Sequence, residues 1–138
     1  MSHEASHWSN LLFTYGTLQQ GERAHSFLDT AEFLCAASTH EPVLLVDCGG
    51  FPGLVDDESH RAYSVTGELY CVPQTLWTTL DNYEGVAEGD YIRREITILT
   101  DTQELRKANA YIWQRAWSNL PVVGKDWKTY RAETYPAP

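Results

Sequence analysis

Glu84 is the acidic residue whose setting points most directly to chemistry. It follows Leu80 by four residues and Trp77 by seven, a spacing that puts all three on one face of a helix. That face is apolar, so the carboxyl group meets the core or the wall of a cleft rather than open water. Desolvation disfavours its charged form, and so does the negative partial charge at a helix C-terminus. Asp81, one turn earlier, adds like-charge repulsion if it points the same way. A carboxyl group tuned upward like this suits general acid/base work near neutral pH. The plain alternative is a Glu that ends a helix and bonds locally.

Tyr15-Gly16-Thr17-Leu18 is the second candidate. It reads as a strand end and a tight turn. A Gly there lets backbone N–H groups approach a ligand closely, which suits a carboxylate or a developing oxyanion. An ordinary turn is the plain alternative.

His3-Glu4-Ala5-Ser6-His7 matches the H-E-x-x-H spacing that places two imidazoles on one zinc ion. Only two residues precede it, no apolar periodicity pins a helix, and no third ligand motif follows. It reads as a polar terminus, and no metal is expected. His25, His40 and His60 show no ligand spacing. Cys35, Cys48 and Cys71 are odd in number and widely spaced, so they read as reduced, mostly buried small residues. The chain has no P-loop, G-x-G-x-x-G, G-x-S-x-G or C-x-x-C.

The elements that must position these groups are mostly short. Leu11 to Tyr15 reads as a strand that stops at Gly16. Ala24 to Leu34 carries Phe27, Leu28, Ala31 and Leu34 at helical spacing. Val43 to Val46 is a short apolar run, and the segment from Gly49 to Gly53 reads as irregular backbone. A strand is expected from Val65 to Val72. Pro73 to Tyr83 is the clearest helix, with Pro in its first turn and Gly85 placed to cap its end. Tyr91 to Leu99 and Leu105 to Gln114 read as the two strands of a hairpin. The tail after Trp117 has no evident assignment. Five or six strands and two helices make an α+β chain, a small mixed sheet or barrel with helices outside.

Length and charge bound the rest. A chain of 138 residues fits one domain: positions 1–10 as a frayed polar N-terminus, and 11–138 folded. Ten Lys and Arg against 19 Asp and Glu leave a net charge of −9. Such a chain repels phosphate backbones and anionic membranes, so neither nucleic acid nor membrane is an expected partner. No window approaches the roughly 18 apolar residues of a membrane span, and no signal peptide is evident. A cytoplasmic location is expected.

Four segments, taken together in order, resemble the gamma-glutamylcyclotransferase-like superfamily, and most closely its gamma-glutamylamine cyclotransferase branch. Phe13 to Leu18, with Gly21 after it, is similar to a Y-G-[ST]-L turn. Gly50-Phe51-Pro52-Gly53-Leu54 is similar to a G-x-P loop, and Val65 to Tyr70 to a V-x-G-E-[LV]-Y strand. Leu80-Asp81-Asn82-Tyr83-Glu84, followed by Tyr91-Ile92-Arg93, is similar to L-D-x-x-E with Y-x-R. The resemblance runs from about Leu12 to Trp113. It implies a compact β-barrel flanked by helices. It also implies that Glu84 is the catalytic acid/base and that Tyr15, Gly16, Thr17 and Leu18 hold a gamma-glutamyl group. One departure is Arg23-Ala24-His25, where the family often has Asn.

The implied substrate is a small gamma-glutamyl amide. Its own α-amine closes on the γ-carbonyl, releasing 5-oxoproline and an amine, with no cofactor. The negative net charge leans toward a cationic amine half. A non-catalytic binding module on the same fold is the competing reading.

Overall fold

A computed structural model describes residues 10–136; the H-E-x-x-H match at positions 3–7 lies outside them. The seven strands are β1 (Leu11–Thr14), β2 (Glu32–Thr39), β3 (Leu44–Asp47), β4 (Pro52–Val55), β5 (Thr66–Cys71), β6 (Tyr91–Thr100) and β7 (Leu105–Trp113). They lie in the order β1-β5-β2-β6-β7-β4-β3, and β1 also pairs with β7. Five of them therefore close into a mixed barrel, with β4 and β3 attached at β7. Two short helices flank it, α1 (Trp77–Tyr83) and α2 (Trp127–Thr134). No described helix is long and apolar enough to cross a membrane.

The first strand shows why the barrel forms. Leu11 to Thr14 is buried throughout. Leu11, Phe13 and Tyr15 enter one core with Leu69, Ile98, Ala108 and Ala110. Leu12 enters the other, beneath Trp77 and Leu80 of α1. An unbroken apolar run is what a strand covered on both faces requires. Closure comes where Leu12 lies opposite Asn109 in a parallel pairing, and the Asn109 side chain donates to the Leu11 carbonyl at 3.1 Å.

Two expectations need correction. Ala24 to Leu34 is not a helix: only His25–Leu28 forms a 3-10 turn, and Glu32–Thr39 is a strand. Phe27 and Leu34 are exposed, so their helical spacing marks no buried face. From Glu32 onward the chain is claimed by pairing, because β2 fills the place between β5 and β6, antiparallel to both. Neighbouring strands override a weak local pattern. The irregular stretch also ends sooner than expected. Pro52 and Gly53 begin β4, antiparallel to β3 and parallel to β7, and a Pro is tolerated as a first strand residue. The three cysteines are free, as expected, but half-exposed rather than buried.

The tail that resisted assignment becomes α2, which straps the loops on either side of the barrel mouth. Trp127 is fully buried, and its indole N–H donates to Glu22 Oε1 at 3.0 Å. Arg131 Nε meets both Glu22 oxygens at 2.9 and 3.0 Å. Lys128 reaches Glu68 at 3.2 Å, whose other oxygen accepts from the Gln20 amide. Asp47, at the end of β3, is the second anchor. Its Oδ1 accepts from the Gly49 and Gly50 amides at 2.9 and 2.8 Å. Its Oδ2 accepts from the Tyr130 and Tyr135 hydroxyls at 2.8 and 2.7 Å.

Burial alone would raise the Asp47 pKa; these hydrogen bonds outweigh it and hold the carboxyl below the usual range. Its contribution to stability is thus present above the unfolded pKa, about 3.9, and is lost as pH falls through the lower folded value. Asp47→Asn keeps the shape but turns one acceptor into a donor. It is expected to cost roughly 1–3 kcal/mol at neutral pH, read by urea denaturation. The gap to the native chain should narrow in strongly acidic buffer, and a gap that widens there would contradict the assignment.

Candidate active site

Beyond Asn109, β7 changes partner. β1 pairs with it at Asn109 and β4 at Ile112, while β6 occupies its whole other edge. The two strands part here, and the fork opens a cavity of about 320 Å³. Glu84, Tyr15, Gly16 and Thr17 all line it, with Pro52, Tyr83, Tyr91, Tyr111 and Trp113 among the other walls.

The Tyr15 hydroxyl spans the fork. It donates to the Tyr111 carbonyl at 2.6 Å and accepts from the Leu54 amide at 3.2 Å. Tyr91 donates to the Pro52 carbonyl at 2.6 Å, and Tyr111 to Asp81 at 2.7 Å. Burial first, and then the Glu84 charge, push the Tyr15 phenol well above its ordinary pKa. Burial does the same, more strongly than any charge, at Tyr91 and Tyr111. These three phenols therefore face Glu84 as neutral walls with their protons committed elsewhere.

Glu84 is aimed by the end of α1. Leu80 and Trp77 on its face are buried, as the spacing predicts. The helix stops because Gly85 adopts a left-handed φ of +69°. The Gly85 amide then bonds Asn82 O at 3.2 Å and the Val86 amide bonds Asp81 O at 3.0 Å, closing the helix end. A Cβ on Gly85 would also stand 2.5 Å from Asp90 Oδ2.

By surface area Glu84 is only half-buried, because its carboxyl group opens on the cavity while protein crowds it elsewhere. The crowding governs its proton affinity, and burial pushes its pKa up to about 8. Among the described residues no hydrogen bond or ion pair holds the carboxyl group. Asp81 does not point the same way and adds no repulsion to the shift. Its carboxylate is turned to Arg93, at 3.0 and 3.2 Å, whose guanidinium also covers the Trp77 ring at 4.4 Å.

The turn after β1 is held by Gln19 N–H to Gly16 O at 3.1 Å and Ala24 N–H to Thr17 O at 3.0 Å. The amides of Gly16, Thr17 and Leu18 donate to no acceptor among the described residues. Gly16 is required by a neighbour rather than by its φ, since a Cβ there would lie 2.5 Å from Pro52 Cγ. Thr17 Oγ1 shares a 2.7 Å hydrogen bond with the Tyr83 hydroxyl, tying the turn to α1. The Leu18 side chain is buried in the outer core and lines no part of the cavity, leaving only its backbone near the turn.

Tyr111, Trp113 and Asp90 were not singled out from the sequence. A signal for the first two exists: Ala108, Ala110 and Ile112 alternate into the barrel, which sends Tyr111 and Trp113 to the opposite face. Asp90 reaches the site through the turn after α1, paired with Arg115 at 2.9 Å. Among the described residues no group of His, Cys, Asp and Glu is arranged to hold a metal ion.

A family model described as "Gamma-glutamyl cyclotransferase, AIG2-like" matches residues 12–129. A Vibrio cholerae protein that carries a provisional gamma-glutamylcyclotransferase name is 40% identical over 77 residues, which cover 56% of this chain and 64% of that one. An Arabidopsis thaliana protein of the same provisional name is 35% identical over 98 residues, covering 65% of this chain and 51% of its own length. The chain thus spans less than two thirds of either relative. The "Gamma-L-glutamyl-butirosin B gamma-glutamyl cyclotransferase" of Niallia circulans is 27% identical over 127 residues, 88% of this chain and 78% of that one. The crystal structure of an AIG2-like protein from Mus musculus superposes with a TM-score of 0.73 at 27% identity, covering 84% of this chain and 86% of the other. With its barrel, its turn and its Glu-bearing helix end in the matched span, the chain belongs to the gamma-glutamyl cyclotransferase, AIG2-like family.

Proposed function

We propose that the protein cleaves a gamma-glutamyl amide by intramolecular attack, with Glu84 as general acid/base, and releases 5-oxoproline and a free amine. The observation that carries this reading is the state of Glu84. It is a carboxyl group raised to about 8, with no bonded neighbour among the described residues, in the same cavity as Gly16 and Thr17 of the turn whose amides are uncommitted. A carboxyl group without a structural partner is free to exchange a proton, and a pKa near the working pH makes both directions accessible.

The reaction asks little else of the protein. The substrate's α-ammonium gives a proton to Glu84. The resulting amine attacks the γ-carbonyl, forming the lactam C–N bond. The oxygen of the intermediate and the glutamyl carboxylate are anionic, and the Gly16, Thr17 and Leu18 amides are suited to donate hydrogen bonds to such oxygens. The old amide C–N bond then breaks as Glu84 protonates the departing nitrogen. The α-ammonium ends as a lactam N–H, and the two protons it loses leave on the amine. Holding the chain bent supplies much of the acceleration. The Tyr15, Tyr91 and Tyr111 rings, whose hydroxyls are already bonded, act as walls that keep the group's surroundings dry. Incubation with a panel of gamma-glutamyl amines, scored for 5-oxoproline by mass spectrometry, tests the reading directly. No release from any member would reject it.

Glu84→Gln keeps the shape and removes proton exchange. It is expected to lower kcat by roughly 10²–10⁴-fold while ligand still binds. Because the folded pKa is raised, the native Glu84 costs stability as pH climbs from the unfolded value, about 4.3, toward about 8. The folded state holds a proton that the unfolded state has released, so stability falls with pH across that window. The gain in melting temperature from Gln should therefore be small at acid pH and grow until pH reaches about 8. In the native enzyme kcat/KM should rise over the same upper range, as Glu84 becomes able to accept a proton.

Gly16→Val would drive its branched side chain into Pro52, which joins the turn wall to the β4 wall. Binding of a gamma-glutamyl ligand, followed by calorimetry, should be lost in a variant that still folds. The proposed attack also needs no Lewis acid, so EDTA should leave turnover unchanged. Activity lost on chelation and restored by zinc would refute the mechanism and return attention to the His3 and His7 pair.

A further inference from the structure

Resting on the reading of Glu84 as acid/base, we propose that Arg23 is a specificity-determining residue that selects substrates whose amine half carries a carboxylate. Three charged side chains line the cavity: Glu84, Asp90 and Arg23. Asp90 is paired with Arg115 at 2.9 Å. Glu84 is the proton-exchanging acid, and burial disfavours its charged form. Arg23 alone carries a charge that no ion pair among the described residues offsets.

Its position sets what it can read. Arg23 is exposed at the rim, and Nη1 donates to the Gly50 carbonyl at 3.2 Å. That bond draws the guanidinium across the gap between the turn loop and the β3–β4 loop and leaves the rest of its donors open. Arg23 and Thr17 also line an adjoining groove of about 410 Å³. The groove's further walls include Arg131 and Glu22, and the Glu22 carboxylate is already taken up by Arg131 and Trp127. The groove beside the cavity therefore carries two cations and a single carboxylate.

The glutamyl half has its own anion receptor in the uncommitted turn amides. The amine half, which extends away from the reacting bond, passes the rim and meets Arg23. A guanidinium fork matches a carboxylate in both charge and geometry. The local field here opposes the long-range one. The net charge of −9 draws cations from a distance, but screening weakens it beyond about 10 Å, whereas a bidentate contact at the rim lies well inside that length. A polyamine half would put like charges together.

The test uses two matched substrates, gamma-glutamyl-alanine and gamma-glutamyl-alaninamide, which differ only in the charge of the amine half. The native protein should prefer the acid. Arg23→Ala should raise KM for the acid by roughly 10- to 100-fold with kcat nearly kept, and should change KM for the amide far less. Arg23→Lys should recover part of the preference, since charge is kept and the fork is lost. An equal loss on both substrates would assign Arg23 to the glutamyl half or to the fold and overturn the proposal, as would a native protein with no preference. Calorimetric binding of the same two ligands separates the two readings. Carboxylate-dependent binding lost with Arg23→Ala, but without 5-oxoproline release, would sink the reaction and leave the role of Arg23 standing.

Discussion

The hydroxyl of Tyr15 holds together the place where this sheet comes apart. β7 cannot pair with β1 and β4 at the same residues, so near Tyr111 and Leu54 a backbone carbonyl and a backbone amide lose their ladder partners. Left unpaired in a buried position, each would cost about 1–3 kcal/mol. One phenol satisfies both, at 2.6 and 3.2 Å. The sheet can then open without exposing unsatisfied backbone, and the opening can be lined with rings instead of water. The dryness of that lining is what raises Glu84. The proton affinity of the acid and the topology of the barrel are thus two ends of one chain of causes, and Tyr15 joins them.

The source of the shift matters as much as its size. The carboxylates around the cavity are each matched: Asp81 with Arg93 and Tyr111, Asp90 with Arg115, Glu22 with Arg131 and Trp127. No unpaired negative neighbour pushes on Glu84, which leaves burial as the cause. A shift made by repulsion would soften with added salt. A shift made by desolvation is insensitive to salt and collapses only if water enters. In a chain of such negative net charge, that makes the acid's tuning independent of the charge carried by the surface.

The sequence was most legible where chemistry is local. The spacing of Trp77, Leu80 and Glu84 fixed which face the acid takes, and Gly85 marked the helix end, because both depend on residues within two turns. The Tyr15 to Leu18 turn was equally readable, although Gly16 proved to be held small by Pro52, a contact 36 residues away in sequence. What escaped was decided at long range. Phe27, Leu34 and their neighbours carry a passable helical pattern, yet Phe27 ends in a 3-10 turn and only the vacancy beside β5 and β6 makes a strand of the chain from Glu32 onward. Asp81 looked like a repulsive neighbour because Arg93 and Tyr111, which claim it, arrive from other strands. The part played by α2 was hidden for the same reason, since its partners Glu22, Asp47 and Glu68 are scattered over the first half of the chain.

That helix and the site loops depend on each other. Eight residues are too few for a stable helix in water. Asp126 caps α2 through the Thr129 amide at 3.0 Å, but a cap contributes only about 1 kcal/mol. The loops bearing Arg23 and Gly50 are pinned to the core only at intervals, through Leu18, Ala24, Leu28 and Phe51, and their polar stretches need partners from elsewhere. Trp127 and Arg131 on Glu22, with Tyr130 and Tyr135 on Asp47, couple these marginal pieces so that ordering either one lowers the entropy cost of ordering the other. The groove beside the cavity is consequently walled by α2 and the Arg23 and Gly50 loops together. Loosening α2 would free Glu22 and Asp47, and with them the Arg23 and Gly50 loops that border the cavity, so a residue with no contact to Glu84 still bears on the walls around it.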